Sequence, residues 1–492
     1  MRLRSPRRPG RQPPAASRDL APASAVTVTI SERDMETGPA SGSTRSNGRL
    51  PGDDCGRDWI WDREVETASI EETLARASSA WETQSRHLFE RSPFYAKKFR
   101  DAGIDPSRVR PGDMSRLPFT TKDELKQSID EDPPFGTNLC VTADRVKRIY
   151  QTSGTAGAPS VIALSPRDIE AWTEIGTRSY YATGIHDHHG VLSTFGAGPF
   201  VAGHTQFVLT RIGTRAVPLG PGDTERVLFS LRAGIVDTLL ATPSFAQYIA
   251  NRLELTDREP GSLTLTHIVT GGEPGGGIPA IRDHIQNVLG ATVTEVMGIG
   301  DVAPSLFGEC PLQEGMHFCG TGHVWPELVD VDTREPVTIE AGAVGELVYT
   351  SLTREAMPVV RFLGADIVRI EGNDCGCGRT SFRMRCLGRR DDMFIVRGVN
   401  VYPSAILAVI GAFRPRVTGR ARVVLQPGEV SVHPPVPIEV EVPAEHRFDA
   451  TLQGQLEDAI RSRLTFRSRV GLVAESVFGE SGYKTRLSVR RP

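Results

Sequence analysis

The sequence predicts an α/β protein with a large N-terminal α/β domain and a small α+β C-terminal domain. Short β-branched runs alternate with helix-like stretches in the middle of the chain, for example VKRIY, SPRDIEAWTEIGTRSYYATG, VLSTFG and THIVTGG. This alternation predicts helices layered on a sheet. After Gly388 the pattern becomes strand, turn, helix, then strands and a last helix, which is typical of a module of about 100 residues. We therefore predict domains at 58–387 and 388–492.

The N-terminal part of the chain has two different characters. Residues 1–57 are rich in Pro, Gly, Ser and Arg, and they carry too little apolar surface to offset the entropy of ordering. We expect a disordered extension there. Residues 67–102 then have the apolar spacing of a long amphipathic helix, broken near Ser92-Pro93 because proline cannot continue a helix.

Composition excludes several classes of protein. The 492 residues carry a formal charge of −3, with 39% hydrophobic and 24% charged residues. Such a balance gives no overall field that would attract nucleic acid or an anionic membrane. No apolar run approaches the roughly 20 residues of a membrane-spanning helix, and the basic N-terminus lacks the apolar stretch of a secretory signal. A transit peptide is the alternative, but the prolines of this N-terminal segment oppose the amphipathic helix that a transit peptide forms. We therefore expect a cytoplasmic protein.

A polar loop follows the strand-like VKRIY and is the first candidate site. Its residues 152–159 read TSGTAGAP. Closely spaced Gly, Ser and Thr allow backbone N–H groups and hydroxyls to surround phosphate oxygens. An ordinary polar turn is the alternative. The candidate phosphate-binding residues are Thr152, Ser153, Gly154, Thr155 and Gly157.

Further motifs occur in an order that resembles the phenylacetate–coenzyme A ligase family of the adenylate-forming superfamily. RSPFYAKKF at 91–99, LPFTTKDEL at 117–125, the loop at 152–159, and GRRDDM with RGVNVYP after residue 387 all match segments of that family. The likeness extends from about Trp61 to the C-terminus. Two departures are Glu124, where the family has Asp, and Ala158, where its phosphate loop has Lys.

The resemblance implies a site for ATP and Mg²⁺ between the two domains. In that family the GxEP turn borders adenine, an aromatic residue in DIYGLSE packs on adenine, and the closing Glu of that motif helps to hold Mg²⁺. An Asp grips the ribose hydroxyls, and an Arg contacts the α-phosphate. The positions of this chain that match are Gly272, Glu273, Pro274, Met297, Gly298, Asp301, Asp366 and Arg389. Met297 replaces the aromatic residue and keeps an apolar contact, and Asp301 replaces the Glu and keeps a hard oxygen ligand. The alternatives are a plain strand–helix turn at 271–274, an ordinary polar turn at 295–301, a capping role for Asp366 and a charged loop between domains around Arg389.

Lys484 is a candidate catalytic residue because lysine is rare in this chain, with none between Lys147 and Lys484. It matches the near-C-terminal lysine of the superfamily, where an ammonium offsets developing charge between the acyl carboxylate and the α-phosphate. A solvated surface lysine is the alternative. Asp391 matches the hinge residue about which the mobile C-terminal domain rotates.

The segment STFGAGPF matches the family's acyl pocket, and its small and flat residues favour an aromatic acid. The candidate pocket residues are Phe195, Gly196, Gly198 and Phe200. A buried strand end followed by a turn is the alternative.

Three cysteines and a histidine occur in two short clusters that could bind a structural Zn²⁺. Thiolate and imidazole ligands suit tetrahedral zinc, and the candidates are Cys310, His317, Cys375 and Cys377. Reduced buried cysteines are the alternative.

The implied reaction is attack of a carboxylic acid on the α-phosphate of Mg·ATP, release of pyrophosphate, and transfer of the acyl group to coenzyme A. Two alternatives remain open: transfer to an amine, a carrier protein or another acceptor, and a noncatalytic ligand-binding relic. The expected partners are small molecules, and the family suggests a homodimer.

Overall fold

The computed structural model describes residues 59–151, 160–196, 200–220, 223–254, 263–427, 429–475, 477–478 and 487–491. Among these residues, four α-helices precede the first strand: α1 (Arg63–Glu66), α2 (Ile70–Arg91), α3 (Pro93–Asp101) and α4 (Lys122–Glu131). The predicted helix break is confirmed, since Ser92 ends α2 and caps α3, with Pro93 at the first position of α3. Trp81 and Leu88 of α2 pack against Tyr95 and Phe99 of α3.

A β-hairpin carries the loop that was predicted to bind phosphate. Strands β1 (Arg148–Gln151) and β2 (Val161–Leu164) pair antiparallel on either side of residues 152–159. Tyr150 and Ile162 of the hairpin belong to the same apolar cluster as Leu125 of α4. The ends of the loop are therefore anchored next to the first turn of α4.

The large sheet has twelve strands, whose bounds are β3 (Gly190–Ser193), β4 (Arg215–Pro218), β5 (Thr238–Ala241), β6 (His267–Gly271), β7 (Thr292–Ile299), β8 (Ala303–Glu309), β9 (Met316–Phe318), β10 (Val324–Val329), β11 (Pro336–Val337), β12 (Val344–Ser351), β13 (Phe362–Gly372) and β14 (Arg383–Arg389). Their order is β11-β10-β12-β13-β14-β9-β8-β7-β6-β5-β3-β4. Strands β3 to β7 pair in parallel and the others antiparallel. The strand–helix alternation predicted for this region is confirmed.

Five helices connect and cover the parallel strands: α5 (Pro166–Ala182), α6 (Thr205–Ile212), α7 (Thr224–Arg232), α8 (Pro243–Glu254) and α9 (Pro279–Leu289). Strands β3, β5 and β6 are almost fully buried, as expected when both faces of a parallel sheet are covered, whereas the edge strand β4 is mostly exposed. Because the carboxyl ends of parallel strands share one edge, the turns after β5, β6 and β7 meet there.

The C-terminal part is a second layer structure with its own apolar core. Its elements are β15 (Phe394–Val396), β16 (Val399–Val401), α10 (Pro403–Gly411), β17 (Ala421–Leu425), β18 (Ser431–Val432), β19 (Val436–Val442), α11 (Ala450–Leu464), β20 (Ser468–Ala474) and β21 (Ser488–Arg490). They form the sheets β16-β15-β18 and β20-β19-β17-β21. Strand β14 of the large sheet crosses the predicted boundary at residue 388, and the boundary itself stays a prediction.

Within the described part of the chain, no helix combines the length and apolar character needed to cross a membrane.

Candidate active site

Asp366 and Arg389 lie side by side, because they are partners in the antiparallel register of β13 and β14. An Arg389 guanidinium nitrogen lies 3.0 Å from an Asp366 carboxylate oxygen. Only 5% of the Asp366 surface is exposed. Burial acts to lower the pKa of Arg389, but Asp366 and Asp391 outweigh it and raise that pKa above its ordinary value. The two residues predicted to contact ribose and α-phosphate thus form one charged unit at a sheet end.

Asp391, the predicted hinge residue, accepts two hydrogen bonds from the same guanidinium. The distances from its carboxylate oxygens to Nε and NH2 of Arg389 are both 2.9 Å. This fork-to-carboxylate geometry is the strongest common form of an ion pair. Arg389 therefore connects the last strand of the large sheet with the first residues of the C-terminal part.

The segment Glu295–Asp301 is a strand up to Ile299, and only residues 300–302 form the polar turn that was its alternative interpretation. Met297 pairs with Phe307 of β8. A Cβ at Gly298 would overlap the carbonyl of Pro304, so the close approach of the two strands requires glycine here. Asp301 lies in the turn that joins β7 to β8, so the predicted Mg²⁺ ligand stands at the end of a paired hairpin.

Asp301 is 9% exposed and pairs with a lysine that sequence reasoning did not single out. The Lys122 ammonium lies 3.5 Å from its carboxylate, and Arg354 donates to its backbone carbonyl. Lys122 is the first residue of α4, where the helix dipole also favours anions. It stands in the LPFTTKDEL motif, so that motif was the signal that could have revealed it. Lys122 is the candidate to supply the charge that Ala158 does not.

We expect Lys122→Met to lower kcat/KM for ATP about 30-fold, because one charge-assisted contact to phosphate is lost. ATP–pyrophosphate exchange at varied ATP concentration measures it. Lys126→Met, one turn further along α4, is the matched control and should leave the value unchanged. Restoring the loop lysine with Ala158→Lys should recover part of the loss. Equal values for the two methionine variants would remove Lys122 from the site.

The turn after β6 contains the residues predicted to border adenine. Gly272 has φ +87°, and a Glu273 carboxylate oxygen accepts a 2.9 Å hydrogen bond from the Ser244 backbone N–H. The turn is thereby tied to the start of α8. Pro274 lines a cavity between this turn and the C-terminal part.

A buried charge cluster of Arg282, Glu295 and Glu309 packs against the residues that follow that turn. The sequence analysis did not predict it. A Cβ at Gly276 or Gly277 would overlap the Glu295 carboxylate, so the carboxylate packs directly against the backbone. Arg282 lies 2.5 Å from Glu309 and 4.0 Å from Glu295. Burial, and then the nearby Glu309, raise the pKa of Glu295 to about 7. Arg282 is therefore shared between two carboxylates. With a pKa of about 7, Glu295 is partly protonated near neutral pH.

The predicted acyl pocket residues are only partly brought together. Phe195 is buried in an apolar cluster with Tyr180 and Val296, which agrees with the alternative of a buried strand end. Phe200 is 37% exposed and forms a parallel bridge with Gln151, just before the phosphate loop. Gly196 lies against Gly220. Their role in binding the acid stays a prediction.

Several predicted residues lie outside those that the structure describes: Thr152, Ser153, Gly154, Thr155, Gly157, Gly198 and Lys484. Their positions relative to Asp301 and Arg389 are therefore part of the proposal below.

His204 stabilises the strand that leads to the phosphate loop. It lies between Tyr150 and Trp172, with Nε2 3.1 Å from the Thr173 hydroxyl. Only 1% of its surface is exposed. Burial, and then the charge of Arg148, lower the pKa of His204 to about 4. The imidazole is therefore neutral in the folded protein at neutral pH.

This pKa predicts loss of stability in mild acid. The unfolded chain binds a proton at His204 near pH 6.5, whereas the folded chain binds it near pH 4. The stability that neutral His204 contributes is thus fully present above pH 6.5 and is lost as the pH drops toward 4. The loss amounts to about 2 kcal/mol at pH 5. We expect His204→Gln to reduce the difference in unfolding free energy between pH 7.5 and pH 5, measured with urea, by about this amount. His188→Gln, whose side chain is 63% exposed, is the control. An unchanged difference in the His204 variant would contradict the assignment.

The four predicted zinc ligands converge at the end of β8 and the loop before β14. All four ligand atoms lie within 4.8 Å of one another. The Cys310 and Cys375 sulfurs are 3.7 Å apart, and Cys377 Sγ lies 3.4 Å from His317 Nε2. A tetrahedral site with Zn–S bonds of about 2.3 Å has edges of about 3.8 Å between sulfurs and about 3.5 Å between sulfur and nitrogen. The spacing fits zinc. Among the described residues, the buried Nδ1 of His317 has no hydrogen-bond partner.

The loop that carries Cys375 and Cys377 also contacts residues 59–68 at the start of the described chain. Arg379 pairs with Glu66 at 2.7 Å and donates to the carbonyl of Trp59, and Thr380 donates to the carbonyl of Ala68 at 2.7 Å. Order in the loop is therefore coupled to order in the N-terminal helices.

Comparison with known proteins agrees with this fold. No protein-family model matches the chain. A phenylacetate–coenzyme A ligase of Thermus thermophilus is 33% identical over 75% of this chain and 81% of its own length. Among solved structures, 2-hydroxyisobutyryl-CoA ligase in the postadenylation state with R3-HIB-AMP has a TM-score of 0.80 at 25% identity, covering 90% of this chain and 94% of that one. The same enzyme with 2-HIB-AMP and CoA in the thioesterification state has a TM-score of 0.65 at 26% identity and the same coverage.

The fold and these comparisons define an adenylate-forming enzyme. The chain belongs to the phenylacetate–coenzyme A ligase family and is an AMP-forming acid–CoA ligase, which activates a carboxylic acid with ATP and transfers it to coenzyme A.

Proposed function

We propose that this ligase activates an aromatic acid, of the aryl or arylacetic class. The observation that carries the proposal is the 33% identity to a phenylacetate–coenzyme A ligase. The aromatic and small residues of the segment STFGAGPF support it, because a flat slot suits a ring. A second candidate class is small branched hydroxy acids, since a structural neighbour is a 2-hydroxyisobutyryl-CoA ligase.

In the proposed site, ATP lies across the carboxyl ends of the strands. Asp366 accepts hydrogen bonds from the two ribose hydroxyls, and the Glu273 turn borders adenine. Arg389 donates to the α-phosphate, where its planar fork matches the oxygens. Lys122 faces the outer phosphates together with the loop at 152–159. Lys484 completes the charge around the reacting carboxylate.

Asp301 would hold Mg²⁺ in this site. Its buried carboxylate supplies the hard oxygen ligand that Mg²⁺ prefers, and bound Mg²⁺ would neutralise charge on the departing pyrophosphate. Lys122 would then exchange its carboxylate partner for phosphate.

We infer that the present arrangement of the two domains corresponds to the state that holds the acyl-adenylate. The higher TM-score with the postadenylation structure than with the thioesterification structure of one neighbour supports this inference. The Asp391–Arg389 pair would then belong to this state and open when the C-terminal domain turns toward coenzyme A.

We also propose that Cys310, His317, Cys375 and Cys377 bind a structural Zn²⁺. Three thiolates and an imidazole form a closed tetrahedral set, which leaves no open position for substrate. The metal would hold the loop that anchors the N-terminal helices.

The experiment that tests the acid class is ATP–pyrophosphate exchange across aryl acids, arylacetic acids and 2-hydroxyisobutyrate. We expect the highest kcat/KM with an aromatic acid, and loss of exchange in Lys484→Ala. Stronger exchange with 2-hydroxyisobutyrate would replace the aromatic proposal with the second candidate. Full exchange in Lys484→Ala would remove that lysine from catalysis.

A further inference from the structure

An arginine of the C-terminal part reaches across to helix α8 of the large domain. The NH1 atom of Arg414 lies 3.2 Å from the Asn251 side-chain oxygen, and NH2 lies 3.0 Å from the Gln247 side-chain oxygen. Gln247 and Asn251 are one helical turn apart on α8, so both amides face the same guanidinium. Gln247 is 3% exposed. The planar fork of one arginine thus joins two amides of the other domain.

Each side of this contact is also held by contacts within its own domain. Arg414 also donates to the carbonyl of Thr418, and a Cβ at Gly419 would overlap its guanidinium. On the other side, His284 of α9 lies 2.9 Å from the same Asn251 oxygen. Burial, and then the charge of Arg414, lower the pKa of His284 to about 4, so it donates from a neutral ring at neutral pH. Little side-chain entropy remains to be lost when the contact forms.

An apolar contact lies next to this polar one. Ile278 packs against the cores of both domains. A Cβ at Gly411 would lie 3.0 Å from Cβ of Ala280, so glycine allows α10 to approach the start of α9 closely. Apolar surface alone would permit sliding, whereas the forked hydrogen bonds require one orientation.

We propose that Arg414, with Gln247 and Asn251, is an interdomain latch that stabilises the adenylate-holding arrangement and must open before acyl transfer to coenzyme A. This inference rests on the two-state assignment in the proposed function. The latch acts at a distance from the reacting atoms, so Arg414 is a positioning residue. Its removal shifts the population of the two arrangements without changing the chemistry in either.

The direct test is single-molecule FRET between dyes at exposed Glu90 and Phe448, introduced through genetically encoded azido residues so that the cysteines stay untouched. We expect Arg414→Ala to shift the ratio of the two arrangements about tenfold away from the latched one, because a forked contact to a charged group is lost. Gln247→Ala should act in the same direction, and adding it to Arg414→Ala should have little further effect.

Arg416→Ala is the matched control. Arg416 lies two residues away and donates to Gln455 within the C-terminal part, at 2.8 Å. Its removal should leave the FRET ratio unchanged. An equal ratio in the Arg414 and Arg416 variants would overturn the latch.

The half-reactions give a second readout that general damage would not reproduce. We expect Arg414→Ala to lower ATP–pyrophosphate exchange about tenfold, while transfer from preformed acyl-adenylate to coenzyme A does not slow. A parallel fall in both half-reactions would contradict the proposal. The FRET ratio is measured on the protein without substrates, so failure of the latch is distinguishable from failure of the proposed acid class.

Discussion

Replacing Asp366 by alanine is expected to lower kcat/KM for ATP about 1,000-fold. Two hydrogen bonds from ribose hydroxyls to a charged acceptor are lost, each worth about 2 kcal/mol, and every 1.4 kcal/mol is tenfold in rate. Arg389 also loses the carboxylate that lies 3.0 Å from it, and its remaining acid partner is the more exposed Asp391. The guanidinium would then turn away from the α-phosphate.

ATP–pyrophosphate exchange at low ATP measures this loss, and circular dichroism checks that the variant is folded. Asp332→Asn, on an exposed turn of the same domain, is the control and should keep full exchange. The exchange activity of Asp366→Asn should lie between those of Asp366→Ala and Asp332→Asn, since an uncharged amide oxygen still accepts a hydrogen bond. A tenfold loss or less in Asp366→Ala, with a folded protein, would refute its role as the ribose ligand.

Replacing Cys377 by serine is expected to remove zinc and lower the thermal midpoint of unfolding by about 5 °C. A metal bound only by the folded chain contributes about 4 kcal/mol at a thousandfold excess over its dissociation constant. The entropy of unfolding is about 2.1 cal/mol/K per residue, so each kcal/mol shifts the midpoint of a domain of this size by about 1–1.5 °C. The loop of Arg379 would loosen with the metal. Early exposure of the helices at residues 63–101 should follow, which hydrogen exchange can detect.

Metal analysis of the purified protein gives the stoichiometry directly, with one zinc per chain expected. Cys386→Ser changes a thiol outside the cluster and should keep both zinc and midpoint. Zinc loss in Cys377→Ser with an unchanged midpoint would deny the metal a structural role. A wild-type protein purified without any metal would favour the alternative of reduced buried cysteines.

Local sequence patterns predicted the type of several secondary-structure elements, which composition alone could not do. The helix break at Ser92-Pro93 and the strand that ends before the Gly272 turn follow from local rules, since proline ends a helix and a buried parallel strand is a short apolar run. The sequence also predicted that Cys310, His317, Cys375 and Cys377 could form one site, because thiolate and imidazole ligands suit zinc, and their ligand atoms do lie within 4.8 Å of one another.

Other features needed the tertiary structure. Met297 and Gly298 lie in a strand because β8 pairs with it, and no local pattern distinguished that strand from a polar turn. Phe195 is a core side chain for a similar reason, since it belongs to an apolar cluster that includes residues of α5, α6, β5, β6 and β7. In both cases the partner strands and helices, not the residue itself, decide the environment.

The residues themselves determined the family, through the order of its motifs, and they predicted sites for phosphate, for carboxylate contacts and for thiolate ligands. Only the fold decided which of them meet, as in the pairs Lys122–Asp301 and Arg414–Gln247, whose members lie 179 and 167 residues apart. Local patterns record burial and periodicity along a few turns of chain, whereas such pairs depend on how whole elements pack in three dimensions.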